Sequence, residues 1–276
     1  MAIVLALTAA LVYGAADFVG GIASRRTHAA TVVVVSQVVG LGILAAVWPF
    51  VPVHAGYADV AWGAAAGIFG AIAIAALYAA LAIGKMGVVS PITAVIGAAI
   101  PVTFGLVRGE RPAAAAIVGI VLALCAVAFI SGATEARLGV LRDRATALAL
   151  VSGLAIGGLY ICFAHGGPQA TLAVVAGARA SSLCVLIVYL LVRREPLWPP
   201  RAAIAPTALA GVLDMSANVL YVLASHQGLL SLVAVITSLY PASTVLLSHA
   251  FLHERLSRPQ WMGLLLGGLS VILIGV

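Results

Sequence analysis

Three charged residues lie inside long apolar stretches of the sequence, namely Asp17, Asp214 and Arg179. A charge at the centre of a membrane helix costs about 2.5–3.5 kcal/mol on insertion scales, so such residues normally face other protein groups or water. Because an arginine keeps its proton inside proteins, Arg179 needs a counter-charge or an anionic ligand. We predict that it pairs with Asp214 or Asp17, or receives the carboxylate of a solute in their place. The alternative is a permanent ion pair that only fixes the helix register.

Polar side chains recur at helical spacing around these charges. The three lines are Asp214, Asn218, Tyr221 and Ser225; Tyr13, Asp17 and Ser24; and Thr237, Tyr240, Thr244 and Ser248. Residues spaced in this way share one side of a helix, and the carboxylates favour a polar cavity as the surface that they face. For the third line, hydrogen bonds within one helix or between helices are an equal alternative. Gln37 could reach the same cavity or bond to a neighbouring helix.

Two further features of these stretches could serve movement. A carboxyl group in a dehydrated site can take up and release a proton, so Asp17 or Asp214 could couple the passage of a solute to a proton gradient. Pro101 and Pro241 occupy equivalent places in two apolar stretches, and proline weakens a helix by removing one hydrogen-bond donor. They are predicted to be hinges, with static bends as the alternative.

The composition is that of a membrane protein with many spans. Of 276 residues, 64% are hydrophobic and 8% are charged, whereas soluble domains carry roughly 25% charged residues. Ten stretches have the length of a membrane span, about 17–25 residues. They cover residues 2–24, 30–50, 58–82, 87–107, 113–131, 145–164, 171–192, 203–225, 229–251 and 258–276. The connections are too short for a separate aqueous domain, which excludes a soluble catalytic or nucleic-acid-binding module.

The spans are predicted to be helices, so the fold class is all-α. In lipid, only helices and closed barrels satisfy every backbone hydrogen bond, and a barrel strand would show alternating polarity over about ten residues. Runs such as 64–82 and 263–276 show no alternation. The first span is longer than the apolar part of a signal peptide and its positive charges follow it, so we expect it to be retained.

A repeat divides the sequence into two halves. Ala94-Val-Ile-x4-Pro101 recurs as Ala234-Val-Ile-x4-Pro241, and Glu110-Arg111-x7-Gly119 recurs as Glu254-Arg255-x7-Gly263. We therefore predict five-helix repeats at 1–131 and 145–276, joined by a linker loop at 132–144. An odd number of spans per repeat inserts the second copy upside down, and such inverted repeats are a transporter architecture with the substrate path at the repeat interface.

The ten-span layout, the Tyr13-Gly14 start, the duplicated Ala-Val-Ile-x4-Pro helices and the two Glu-Arg turns together resemble the drug/metabolite transporter superfamily, and within it the EamA-type transporters. The resemblance covers essentially the whole chain. It implies a secondary transporter that moves a small polar or amphipathic metabolite, often outward, by alternating access. We accordingly expect no enzymatic activity, no cofactor and no nucleic acid. The expected partners are a small-molecule substrate and the bilayer of a bacterial-type cell (inner) membrane, with the protein as a monomer.

Two other functional classes fit parts of the pattern. Two membrane aspartates are the minimum for an intramembrane aspartyl protease, but such enzymes carry a Tyr-Asp pair and a Gly-x-Gly-Asp, and this chain has Tyr13-Gly-Ala-Ala-Asp17 and Gly211-Val-Leu-Asp214. A non-transporting scaffold would leave the inward-facing charges without a purpose. The transporter is therefore the leading interpretation.

Metal and disulfide chemistry have weak support. Cys125, Cys162 and Cys184 lie in apolar spans without a closely spaced partner, so neither a disulfide framework nor a metal knuckle is indicated. His249 and His253 are four residues apart and could bind a metal only with a third ligand that the neighbouring sequence does not supply.

The positive charges between spans are unevenly distributed. The connections after spans one, three, five, seven and nine hold Arg25, Arg26, Lys85, Arg137, Arg142, Arg144, Arg193, Arg194, Arg201, Arg255 and Arg258, and the opposite side holds Arg108 and Arg111. The positive-inside rule places the first set in the cytoplasm and both termini outside. The resemblance implies the reverse orientation, with cytoplasmic termini.

Overall fold

The computed structural model describes residues 1–83, 86–131 and 144–275. Its helices are α1 (Ala2–Ser24), α2 (Ala29–Val47), α3 (Tyr57–Ile83), α4 (Met86–Val107), α5 (Ala114–Ile130), α6 (Arg144–His165), α7 (Thr171–Arg193), α8 (Arg201–Ser225), α9 (Leu230–Thr237), α10 (Tyr240–Leu252) and α11 (Arg258–Gly275), with a short 3-10 helix at Trp48–Phe50. The described residues contain no strand, so the all-α prediction is confirmed. Seven spans among them are long and apolar enough to cross a membrane.

Every predicted span coincides with a helix, except that the ninth is divided into α9 and α10. The division follows from Pro241, which lies in the first turn of α10 and cannot donate a hydrogen bond to the carbonyl of Thr237. Helix α4 continues without interruption past Pro101. A proline at the equivalent position therefore interrupts the helix in only one half.

Helix α8 contains a proline that the sequence analysis did not single out. Pro206 lies inside the helix, so the carbonyl of Ala202 lacks its usual partner one turn later. Arg26, just past the end of α1, supplies the missing donor: its Nη1 lies 2.8 Å from the Ala202 oxygen. The end of α1 is thereby tied to the start of α8.

Helices from the two halves pack in antiparallel pairs, in which contacts advance along one helix and recede along the other. Helix α1 lies against α8, α3 against α6, α2 against α7, and α5 against α11. The contacts that define the directions are Tyr13–Asn218 and Gly20–Ala210; Gly70–Leu159 and Ala73–Ser152; Gln37–Ser182 and Gly40–Arg179; and Gly119–Ile274 and Gly263–Ile130.

Other helices from the two halves pack in parallel. Helix α1 runs beside α10, α4 beside α6, and α3 beside α7. The directions follow from Gly14–Thr244 and Phe18–Phe251; Thr93–Ala149 and Ile100–Gly157; and Gly63–Val174 and Gly67–Ala178. At Gly63 and Gly67 a Cβ atom would collide with the backbone of α7. Absence of a side chain thus permits the close packing that drives helix association in lipid.

Candidate functional site

A cavity of about 670 Å³ lies between the two halves. Helices α1, α2, α3, α6, α7, α8 and α10 line it. It extends from the tyrosines at mid-helix to Ser24 and Ala29, where α1 ends and α2 begins. Most of its wall is apolar, and its size lies within the 300–1,000 Å³ typical of small-molecule sites.

A hydrogen-bonded ion pair occupies one wall of the cavity. Arg179 Nη2 lies 2.6 Å from Asp214 Oδ2, and Arg179 Nη1 donates to Gln37 Oε1 at 2.6 Å. Gln37 in turn donates to Ser182 Oγ at 3.3 Å. The side chain of Arg179 is 3% exposed and that of Asp214 is 37% exposed, so the carboxylate is the partner that meets the cavity. Of the two partners that the sequence left open, the structure brings Asp214 to the arginine.

Glycine makes room for the guanidinium. A Cβ atom at Gly40 of α2 would lie 3.1–3.2 Å from the Nε, Cζ and Nη1 atoms of Arg179. Such a distance is at the short limit of packing contacts, so the small residue allows the planar group to lie flat between α2 and α8.

Asp17 also lines the cavity. Its side chain is exposed, and it makes no hydrogen bond or ion pair with the residues that the structure describes. It lies close enough to Asp214 for the two charges to interact. The two membrane aspartates thus differ: Asp214 is neutralised by Arg179, and Asp17 is not.

Tyrosines form the deep end of the cavity. Tyr13 Oη donates to Asn218 Oδ1 at 3.0 Å, and Asn218 Nδ2 donates to the Asp214 carbonyl at 2.7 Å. Tyr240 lies 6.4 Å from Tyr13 between ring centroids, and Tyr160 completes the set. Hydrogen bonds within this end fix the side chains that a bound molecule would meet.

Tyr221 shares a helix face with Asp214 and Asn218 but does not line the cavity. It is fully buried, stacks on Tyr160 with 4.5 Å between ring centroids, and donates a 3.3 Å hydrogen bond to the Tyr160 carbonyl. Tyr221 therefore supports the deep end of the cavity through its contact with Tyr160.

Of the third polar line, only Thr244 has a side-chain hydrogen bond to another helix in the described part of the chain. Thr244 donates to the carbonyl of Gly14 at 3.1 Å, and Thr237 is fully buried without a hydrogen-bond partner. Tyr240 alone of this line reaches the cavity. Of the two alternatives left open by the sequence, Thr244 follows the interhelical contact and Tyr240 follows the cavity, so neither accounts for the whole line.

Beyond the deep end, the helices are closed by a carboxylate cap. Glu110 Oε1 accepts a hydrogen bond from the Leu230 amide at 2.7 Å, and Oε2 accepts one from the Ser231 amide at 3.0 Å. A carboxylate is favourable there because the first amides of a helix lack internal partners and carry partial positive charge. The cap fastens the α4–α5 connection to the start of α9.

His249 and His253 lie at the end of α10, where both take part in ending the helix. The His249 imidazole Nδ1 lies 2.7 Å from the Glu254 carbonyl, and His253 ends α10 in the left-handed conformation at φ 54°. Within the described part of the chain, no three His, Cys, Asp or Glu side chains are grouped to hold a metal.

Sequence patterns did not indicate several of these residues. The cavity is also lined by Tyr160, Phe163 and Ser182. The signal in the sequence that could have indicated them is a polar or aromatic side chain within an apolar span. Glu110 was recognised only as part of a repeated Glu-Arg pair. Its capping role depends on α9, which is distant in sequence.

Known proteins resemble this chain in sequence over one half and in fold over its whole length. Residues 144–276 match the model of the EamA-like transporter family. A solved crystal structure, described only as that of a protein, covers 99% of this chain and 95% of its own with a TM-score of 0.76 and 16% sequence identity, which shows a common fold. No curated protein matches the sequence. With the seven long apolar spans of the described residues, this match indicates a multi-pass integral membrane protein, and it confirms the resemblance noted in the sequence over residues 144–276.

Proposed function

We propose that this chain is a secondary active transporter, because residues 144–276 match the model of the EamA-like transporter family. It moves a small polar or amphipathic metabolite across the membrane by alternating access between its two halves. The observation that carries the proposal is the one-sided cavity between the halves, with a buried ion pair in its wall and a free carboxylate beside it. A mainly apolar wall with a few fixed polar groups suits an amphipathic molecule.

The packing of the helices supports an inverted repeat. In an exchange of the two halves, α1 corresponds to α6, α3 to α8, and α4 to α9 with α10. The antiparallel pair α1/α8 then becomes α6/α3, which is also antiparallel. The parallel pair α1/α10 becomes α6/α4, which is also parallel. The pairs α2/α7 and α5/α11 each convert into themselves. Such an arrangement places the substrate path on the pseudo-symmetry axis near mid-membrane.

A closed face opposite the cavity supports alternating access. The cavity reaches the α1–α2 connection, whereas Tyr221 and the Glu110 cap close the other direction. In the alternate state the symmetry-related contacts would close the first face and open the second. The interruption at Pro241 and the continuous helix at Pro101 are our candidates for the hinge positions.

Charge distribution supports a direction of opening. Most arginines between spans lie on the face reached by the cavity, and the positive-inside rule assigns that face to the cytoplasm. The described state would then load solute from the cytoplasm of a bacterial-type inner membrane for export. The chain acts as a monomer in this scheme, since both halves that form the path belong to it.

Asp17 supports proton coupling because its carboxyl has no fixed partner and can exchange a proton with the cavity. Asp214 is less suited to this role, since it is already engaged in the ion pair with Arg179. The same pairing disfavours an aspartyl protease, whose two carboxyls must share one proton.

A thermal-shift screen of the purified protein against amino acids, nucleosides, sugars and cationic drugs would identify a solute, because a ligand that binds the folded state raises its melting temperature. The solute is then tested by counterflow in proteoliposomes. We expect accumulation of labelled solute in vesicles preloaded with unlabelled solute. Folded protein that binds the solute but gives no flux above protein-free vesicles would refute the proposal.

A further inference from the structure

Among its described lining residues, the cavity has no positive group available to bind an anion. Arg179 is the only Lys or Arg among its described lining residues, and its side chain is 3% exposed. Its Nη1 and Nη2 groups are directed to Gln37 and Asp214. A solute carboxylate would have to displace Asp214 from a 2.6 Å contact and leave that aspartate without a counter-charge.

When Asp17 is ionised, the described lining instead carries one uncompensated negative charge. Asp17 and Asp214 contribute two negative charges, and Arg179 contributes one positive charge. Asp17 is exposed to the cavity and has no hydrogen bond or ion pair with any described residue. Because an unpaired carboxylate in a low-dielectric site strongly favours a nearby cation, this position is suited to a positive ligand group.

Aromatic rings surround the same carboxylate. Tyr13 lies one helical turn before Asp17 on α1, and Tyr160 and Tyr240 are close enough to Asp17 to interact with its charge. The faces of aromatic rings attract ammonium groups. Val32, Ile74 and Leu159 also line the cavity and provide apolar wall for the rest of a ligand.

We propose that the transported solute is a monovalent organic cation with an apolar or aromatic body, and that its ammonium group binds Asp17. This inference rests on the proposed transporter function and specifies its substrate class. Asp214 and Arg179 do not contact the cationic group directly; they set the shape and charge of the adjoining wall.

Three matched probes test the inference on the full-length purified protein: 2-phenylethylammonium, the neutral 2-phenylethanol and the anionic 3-phenylpropanoate. Binding is measured by calorimetry and by the shift in melting temperature. We expect the ammonium probe to bind at least about tenfold more tightly than the other two. Asp17→Asn should lose that preference, whereas Asp17→Glu should retain it.

Glu195→Gln is the matched control, because it removes the same charge from the α7–α8 connection, outside the cavity lining. It should bind the ammonium probe as the wild type does. If Asp17→Asn does not fold, the relative affinities of the three probes for the wild-type protein test the inference on their own. Equal binding of the three probes, stronger binding of the carboxylate, or an unchanged preference in folded Asp17→Asn would overturn the inference.

Counterflow separates this inference from the function on which it rests. Binding of the ammonium probe through Asp17 without flux in proteoliposomes would refute the transporter and retain the cation site. Flux of an anionic or neutral solute that is lost in Arg179→Gln but not in Asp17→Asn would retain the transporter and refute the cation site.

Discussion

At the scale of single residues, the two membrane aspartates differ because Arg179 pairs with Asp214. Arg179 cannot shed its proton and is almost fully buried, so its 2.6 Å contact with Asp214 is a structural requirement. Asp17 makes no ion pair with a described residue and faces the cavity. The two carboxylates should therefore respond differently to the same substitution.

We predict that Asp214→Asn destabilises the protein by about 3–5 kcal/mol, because it leaves a buried guanidinium without a counter-charge. The double variant Arg179→Gln/Asp214→Asn should regain much of this loss, since no unpaired charge remains. Unfolding in detergent, followed by circular dichroism, measures both. Asp17→Asn is the control and should change the free energy of unfolding little; losses that simply add in the double variant would contradict the pairing.

At the scale of the helices, span positions could be predicted because apolar length is sufficient to define a membrane helix. The same information could not locate the division between α9 and α10, since Pro101 and Pro241 share a local motif and only one interrupts its helix. Helical spacing placed Tyr221 on the face of Asp214 and Asn218. It could not show that Tyr160, from another helix, separates Tyr221 from the cavity. Contacts between distant segments decide these points.

Pro206 gives the clearest prediction at this scale. Arg26→Gln should destabilise the protein by about 1 kcal/mol, because the Ala202 carbonyl loses the donor that replaces the missing proline N–H. Arg25→Gln should have a smaller effect, since its 3.8 Å contact with Glu254 is exposed. Unfolding in detergent measures both variants.

Pro206→Ala provides a second check, because alanine can donate to Ala202 itself. In that background Arg26→Gln should cost much less than in the wild type. An equal cost in both backgrounds would show that Arg26 acts in another way.

At the scale of the whole molecule, closure of one face depends on few contacts. Glu110 joins the α4–α5 connection to the start of α9, while its repeat counterpart Glu254 is 55% exposed and pairs with Arg25 at 3.8 Å. This asymmetry between equivalent residues agrees with the proposed state, in which one face is closed and the other is accessible.

We predict that Glu110→Gln increases amide hydrogen exchange in the first turns of α9. Glutamine offers one acceptor oxygen in place of two and removes the negative charge at the helix start. Glu254→Gln, the matched change in the other half, should leave α9 protected. Exchange that is equal in the two variants would argue against Glu110 as a closure of that face.

Acid should also loosen this face through His226, which follows α8. Burial lowers the pKa of the His226 imidazole, an effect that the charge of Asp59 partly offsets. A histidine with a lower pKa in the folded state binds fewer protons there, so stability falls as the pH drops through about 6.5. Melting temperatures between pH 7.5 and 5.5 should fall less in His226→Gln than in the wild type; identical slopes would exclude His226 as a cause.

The central claim, access to one cavity from alternate faces, is tested most directly by sided labelling of a cysteine at Ile156, which lines the cavity. The three native cysteines are first replaced by serine, and a membrane-impermeant maleimide is added to either side of oriented proteoliposomes. We predict labelling from the α1–α2 face without solute, and labelling from the opposite face as well under exchange conditions with the solute found by the screen. Labelling confined to one face under every condition, in protein that binds the solute, would contradict the account.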